Sequence, residues 1–162
     1  WTNAVEKIVE FIQNGESVVL LCLGDTSLFA SSSNILRIVK KNYPKIITKT
    51  IPGISSISAA AALNNFDLVK KGETLIIKEC PSSKSELNSL IMESRGNKMV
   101  MVIMKVGKRW KFVRDTLKKE DIINQSLIAL NVGMPNQIMQ YASQYKEDVM
   151  PYFSLILIRF DL

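Results

Sequence analysis

"SVVLLCLGD", residues 17–25, is an unbroken apolar run closed by glycine and aspartate. A strand with one wet face would alternate apolar and polar residues. A run this short and this apolar is instead the pattern of a strand buried on both faces of a parallel sheet. Ahead of it, Ala4, Ile8, Phe11 and Ile12 recur at helical spacing, and Asn14-Gly15 supplies a stop. Behind it a second helix carries Leu28, Ile35, Leu36 and Val39 on its apolar side, and "KIITKTIPG", residues 45–53, reads as another strand. Helix, strand, helix, strand is the alternation of a doubly wound α/β sheet.

The pattern changes after Pro52-Gly53. "PGISSISAAAA", residues 52–62, predicts a small-residue helix starting at Ser55 or Ser56 and running to about Phe66. "TLIIKEC" (74–80) reads as a strand, "SKSELNSLIMESR" (83–95) as a helix capped by Ser83 or Ser85, and "KMVMVIMKV" (98–106) as a strand. A helix with Trp110, Val113 and Leu117 on one face follows, then "SLIALNVG" (126–133) and "FSLILIRF" (153–160) as strands. The domain boundary is placed near residues 50–53, giving domains of residues 1–50 and 51–162.

The bulk properties narrow the function. At 162 residues and 47% hydrophobic content the chain can bury a substantial core. Its longest apolar runs fall well short of the roughly 18 residues of a membrane-spanning helix, so no membrane role is expected. Cys22 and Cys80 sit in or beside apolar runs, which suits reduced thiols and a cytoplasmic location better than a disulfide framework. The chain opens at Trp1 directly in a helical pattern and reads as a fragment. With 21 Lys and Arg against 15 Asp and Glu the net charge is +6, favouring an anionic partner. Histidine is absent, which removes the usual general base and the commonest metal ligand, and the two cysteines are too sparse for a zinc site.

Three stretches carry candidate chemistry, each with a plainer alternative. "LCLGDTSLF" places Gly24 and Asp25 at a strand's carboxyl end, where open α/β folds bind ligands; Gly-Asp is also an ordinary turn. The helix start at Ser55 or Ser56 offers backbone N–H groups to a carboxylate or phosphate; it is equally a capped helix packed at a junction. "KVGKRWKFVRDTLKK" (105–119) holds seven basic residues around Trp110 and Phe112, but fits an amphipathic helix with a solvated face better than a nucleic-acid surface. Met99, Met101 and Met104 read as core filling.

In order and spacing, "LGD", "IPGISSISAAAA", "VIMKVGK", "NVGMPNQ" and the closing "YFSLILIRF" resemble the tetrapyrrole methylases over nearly the whole chain. The "LGDTSLFASSSNILRIV", "IPGISSISAAAA" and "YFSLILI" stretches most resemble the branch that methylates precorrin-2 at carbon 20. The resemblance implies two α/β domains, the first here a partial parallel sheet and the second a mixed sheet with flanking helices. It also implies S-adenosyl-L-methionine as cofactor in the cleft between them, a tetrapyrrole as small-molecule substrate, and a homodimer. Transferred by motif, Leu23, Gly24, Asp25 and Leu28 line the cofactor through the strand-end loop, and Ser55 and Ser56 hold it at the helix start. Met104 and Gly133 lie along its adenosine part. Lys105, Lys108 and Arg109 are candidates for the carboxylate arms of the substrate. No catalytic base and no metal ligand is assigned.

Two departures stand out. Gly24-Asp25-Thr26 occupies the place of the family's usual Gly-Asp-Pro, giving up the fixed φ of proline. The family's G-x-G-P-G-D first-strand motif is missing, so the chain by itself is expected to bind cofactor weakly. Rival readings are other branches of the family, acting on other corrin positions, on the diphthamide precursor or on ribosomal RNA, and a non-catalytic α/β nucleotide-binding module. Nucleic acid is the less expected partner.

Overall fold

The computed structural model describes residues 1–160 and divides into two compact units, Trp1–Ser55 and Ser56–Leu162.

In the first unit, α1 (Thr2–Gln13) packs on α2 (Ser32–Asn42). Val5, Val9, Ile35 and Val39 are buried between them, with Ile8, Ile38, Tyr43 and Ile46 at the margin. On α1 the buried stripe is therefore Val5 and Val9 rather than the expected Ala4, Ile8, Phe11 and Ile12; Phe11 is half exposed. The i, i+4 pair of β-branched residues supplies the narrow seam that a two-helix contact needs.

The two strands expected in this unit are not formed: neither residues 17–23 nor 45–51 carry a strand, and no described residue pairs with them. The expected partial parallel sheet of the first domain is thus corrected to a helix pair with two apolar segments. A doubly buried strand needs a ladder partner on each side for its N–H and C=O groups. Without one among the described residues, Val19, Leu21 and Leu23 stand 78%, 87% and 73% exposed.

The second unit is the mixed sheet with flanking helices. It starts with α3 (Ser56–Leu63), which ends three residues before the expected Phe66 and buries Ile57, Ala60 and Ala61. Five strands follow: β1 (Thr74–Glu79), β2 (Met99–Met104), β3 (Ser126–Leu130), β4 (Ile138–Tyr141) and β5 (Ser154–Ile158), in spatial order β1-β2-β5-β3-β4. β1 and β2 are parallel, and β5 enters antiparallel between β2 and β3. β2, β3 and β5 are the expected apolar runs, buried almost throughout. β4 was not expected from sequence; "IMQY" is a half-exposed edge of four residues with no apolar run to announce it.

α4 (Lys84–Gly96) is capped as read, its Glu86 N–H donating to Ser83 Oγ at 3.2 Å, while Glu86 Oε2 accepts from the Ser82 N–H at 3.0 Å. α5 (Trp110–Lys119) buries Trp110, Val113 and Leu117 and leaves Lys111, Lys118 and Lys119 in solvent. These residues of the basic run form a solvated helix face. Trp110 is fully buried, its Nε1–H donating to Glu147 O at 3.0 Å and its ring meeting the Tyr145 edge at 5.9 Å.

Candidate functional site

The candidate residues fall into two groups, one in each unit. In the first unit the loop at Leu23 to Leu28 turns at Gly24, whose φ of +78° lies in the left-handed region that glycine enters at no steric cost. Gly53 is pressed against this turn: a Cβ built on it would overlap the Gly24 carbonyl oxygen and come within 3.2 Å of the carbonyl carbon. Two motifs almost thirty residues apart therefore meet backbone to backbone at a pair of glycines. Thr26 Oγ1 adds a 3.4 Å bond to Ile51 O, so the threonine in place of proline ties the loop through its side chain.

Asp25 accepts from the Ser27 hydroxyl and from the Ser27 N–H at 2.6 Å. These bonds, the hydroxyl's first, hold its carboxyl below the usual aspartate value, so it is ionised at neutral pH. The result is a fixed negative charge on a glycine-hinged loop. Ser55, two residues past Gly53, is half-buried and ends the first unit; Ser56 opens α3. Leu23 is exposed and Leu28 half-buried.

In the second unit Met104 and Gly133 lie at one end of the sheet. Met104 ends β2 and pairs with Leu155; its carbonyl accepts from the Cys80 N–H at 2.7 Å. Gly133, at φ +80°, follows β3, and its N–H donates to Gln137 Oε1 at 2.8 Å. The strands reach this end in the same way. Lys105 and Asn131, each the first residue past its strand, are both left-handed, at φ +56° and +50°. Their N–H groups donate to the start of β5, at Ser154 O (3.0 Å), and to the residue just before it, at Phe153 O (2.8 Å).

Two cations stand at this end. Lys105 Nζ is ion-paired with Glu79, the last residue of β1, and Arg109 Nη1 donates to the next carbonyl, Cys80 O, at 3.1 Å. Burial pushes the Cys80 thiol up to about 11, with Arg109 only partly offsetting it, so Cys80 is not a nucleophile at neutral pH. Among the described residues, no three His, Cys, Asp or Glu side chains gather as a metal site, and no helix is long and apolar enough to cross a membrane.

Sequence reading had not singled out Gly53, Ser27 or Glu79 for this site. A signal existed for the first two: Pro-Gly ahead of a helix marks a close turn, and a serine two residues after an aspartate marks an Asx turn. For Glu79 there was none, because its pairing with Lys105 spans 26 residues of chain.

The family model of the tetrapyrrole (corrin/porphyrin) methylases matches residues 1–143. The precorrin-2 C(20)-methyltransferase of Sinorhizobium sp is 24% identical over 158 residues, 98% of this chain and 62% of that protein. The cobalt-precorrin-2 C(20)-methyltransferase of Salmonella typhimurium is 23% identical over 160 residues, covering 98% and 65% of the two chains. The chain thus spans less than two thirds of the length of these relatives. The fold matches that of the uroporphyrin-III C-methyl transferase from Thermus thermophilus complexed with S-adenyl homocysteine, with a TM-score of 0.62, 14% identity, and 96% and 72% of the two chains covered. With its motifs in order and the family model spanning most of its length, the chain belongs to the tetrapyrrole methylase family.

Proposed function

We propose that this protein carries out S-adenosyl-L-methionine-dependent C-methylation of a reduced tetrapyrrole, precorrin-2 or cobalt-factor II at carbon 20, in cobalamin biosynthesis. The observation that carries the reading is the backbone contact of Gly24 with Gly53, which joins the two motifs that the resemblance assigns to the cofactor. With no side chain at either glycine, the two motifs lie main chain against main chain, which brings their backbone groups to one place. Residues 1–50 are then the carboxyl-terminal part of the first, cofactor-binding α/β domain and residues 51–162 the second domain. The enzyme works in the cytoplasm as a homodimer.

S-adenosylmethionine, when bound, supplies a methyl group already activated on a sulfonium. The work left to the chain is to orient two reactants in line and exclude water, which accords with a sequence lacking histidine. Leu23, Gly24, Asp25, Leu28, Ser55 and Ser56 are the positions that hold the cofactor by the resemblance. The ionised Asp25 is matched to a cationic group such as the amino group of its methionine moiety. Met104 and Gly133 lie along the adenosine part.

The test is a mass measurement. The chain as it stands, and a version carrying a family-type Gly-rich segment ahead of Trp1, are incubated with S-adenosylmethionine and metal-free or cobalt-loaded precorrin-2. A gain of one methyl on either macrocycle is the expected result and tells the two routes apart. No gain in either version, with cofactor still bound, sinks the carbon-20 assignment and moves the activity to another branch of the family.

A further inference from the structure

A lysine held at φ +56° is a costly choice of residue. Glycine occupies that conformation without strain, and the backbone bond from residue 105 to Ser154 O needs no side chain. The side chain ends on Glu79, yet the two are 37% and 51% exposed, so the pair adds little stability in competition with water. Both ends of the pair are within reach of a solute.

A second cation stands beside it. Arg109 is anchored on Cys80 O, one residue from Glu79, and spends that donor on a neutral carbonyl. Two cations thus stand at this end of the sheet, and Glu79 is ion-paired with Lys105. Just ahead of β5, directly before Ser154, Tyr152 and Phe153 are 70% and 46% exposed and meet edge to face with ring centroids 5.2 Å apart. Exposed aromatic rings at the same end of the sheet as two cations match a flat ring carrying carboxylate arms.

We propose that Lys105 holds a carboxylate arm of the substrate and that Glu79 is the resident competitor the arm displaces, making Glu79 a specificity-determining residue. The inference rests on the proposed function for its substrate class and on the sequence for Lys105 as a candidate; the role of Glu79 comes from the structure. A ligand carboxylate takes over the ammonium by exchange, at the small cost of an exposed pair, so a ligand without a well-placed arm gains nothing at this position.

The probe is uroporphyrin, a polycarboxylate macrocycle, compared with a porphyrin bearing cationic arms and titrated by absorbance and tryptophan quenching. The wild-type chain is expected to prefer the polycarboxylate. Lys105→Met should weaken its binding on the order of tenfold, as expected for loss of a charge-assisted bond. Lys119→Met makes the same charge change at the far end of α5 and should leave binding nearly unaltered. Glu79→Gln should tighten binding several-fold, but only while Lys105 is present; in the double variant that gain should vanish. Lys105→Gly, which relieves the backbone, should raise the urea midpoint while losing affinity.

An unselective wild type, a Lys105→Met variant that binds normally, or tighter binding by Glu79→Gln in the Lys105→Met background overturns the proposal. So does weaker binding by Glu79→Gln alone, since Glu79 would then be a support for Lys105 rather than its competitor. Titration with S-adenosylhomocysteine separates this inference from the methylase reading. If that cofactor product fails to bind while the Lys105 and Glu79 pattern holds, the methylase reading falls and the carboxylate site stands. If it binds and the pattern is absent, the reverse is true.

Discussion

Two apolar runs of nearly the same composition meet opposite fates in this chain. "SLILI" forms β5, flanked by β2 and β3, and every one of its residues is buried. "VVLLCL", residues 18–23, forms no strand, and Leu21 within it is 87% exposed. An apolar run states how much surface wants to leave water; whether it becomes a strand depends on what lies on either side to accept its N–H and C=O groups. In the second unit the partners are supplied by residues 99–104 and 126–130. Among the described residues of the first unit nothing supplies them.

The strongest way to break this contrast is a matched pair of truncations. Trp110→Ala removes a fully buried ring and the donor to Glu147 O, and should cost about 3–5 kcal/mol by urea denaturation. Leu21→Ala, in the exposed run, should stay within about 0.5 kcal/mol. A loss near 2 kcal/mol at Leu21 would mean that the run is buried in solution and the contrast is false.

The glycines give a second, smaller test. Gly53→Ala forces a Cβ onto the Gly24 carbonyl, where backbone rather than a flexible side chain must yield, and should destabilise by about 1–3 kcal/mol. Gly96→Ala, at the last position of α4, meets nothing within 4 Å and should be neutral or stabilise by up to about 1 kcal/mol. Thermal melts decide between them. Equal effects would show that the Gly24–Gly53 contact is loose and would remove the physical basis for joining the two motifs.

What could be read in advance follows the same division. The helices and the buried strands of the second unit were legible because period and burial agree there: Trp110, Val113 and Leu117 repeat at helical spacing and all face the core. β4 was invisible because an edge strand is defined by its neighbour, here β3, and not by its own four residues. The first-unit strands were misread for the opposite reason, since their composition was right and their partners were not among the described residues. At the site, the glycine and serine positions could be found from turn chemistry and family motifs. The Lys105–Glu79 pair and the left-handed turn at Lys105 arise only when β1 and β2 lie side by side.

The last prediction concerns how the second unit fastens the loop between α3 and β1, and it is a change of slope rather than a large loss. Arg159 is 3% exposed, ion-paired with Glu73, and donates to Asp67 O at 2.7 Å, tying the loop to the end of β5. The Lys70 N–H, donating to Glu73 Oε2 at 2.7 Å, and then Arg159 hold the Glu73 carboxyl below the ordinary glutamate value of 4.5. A carboxyl depressed on folding binds fewer protons in the native state than in the unfolded one. Its contribution is therefore present above pH 4.5 and is lost as the pH falls through the lower, folded value. Glu73→Gln keeps the acceptor for Lys70 but cannot titrate. Its urea midpoint should lie below the wild type at neutral pH, and the two curves should converge as the pH falls below 4.5 and through the lower, folded value. Curves that stay parallel through that window would show that Glu73 is not what couples this loop to proton binding, and that its carboxyl is not held below the ordinary value by folding.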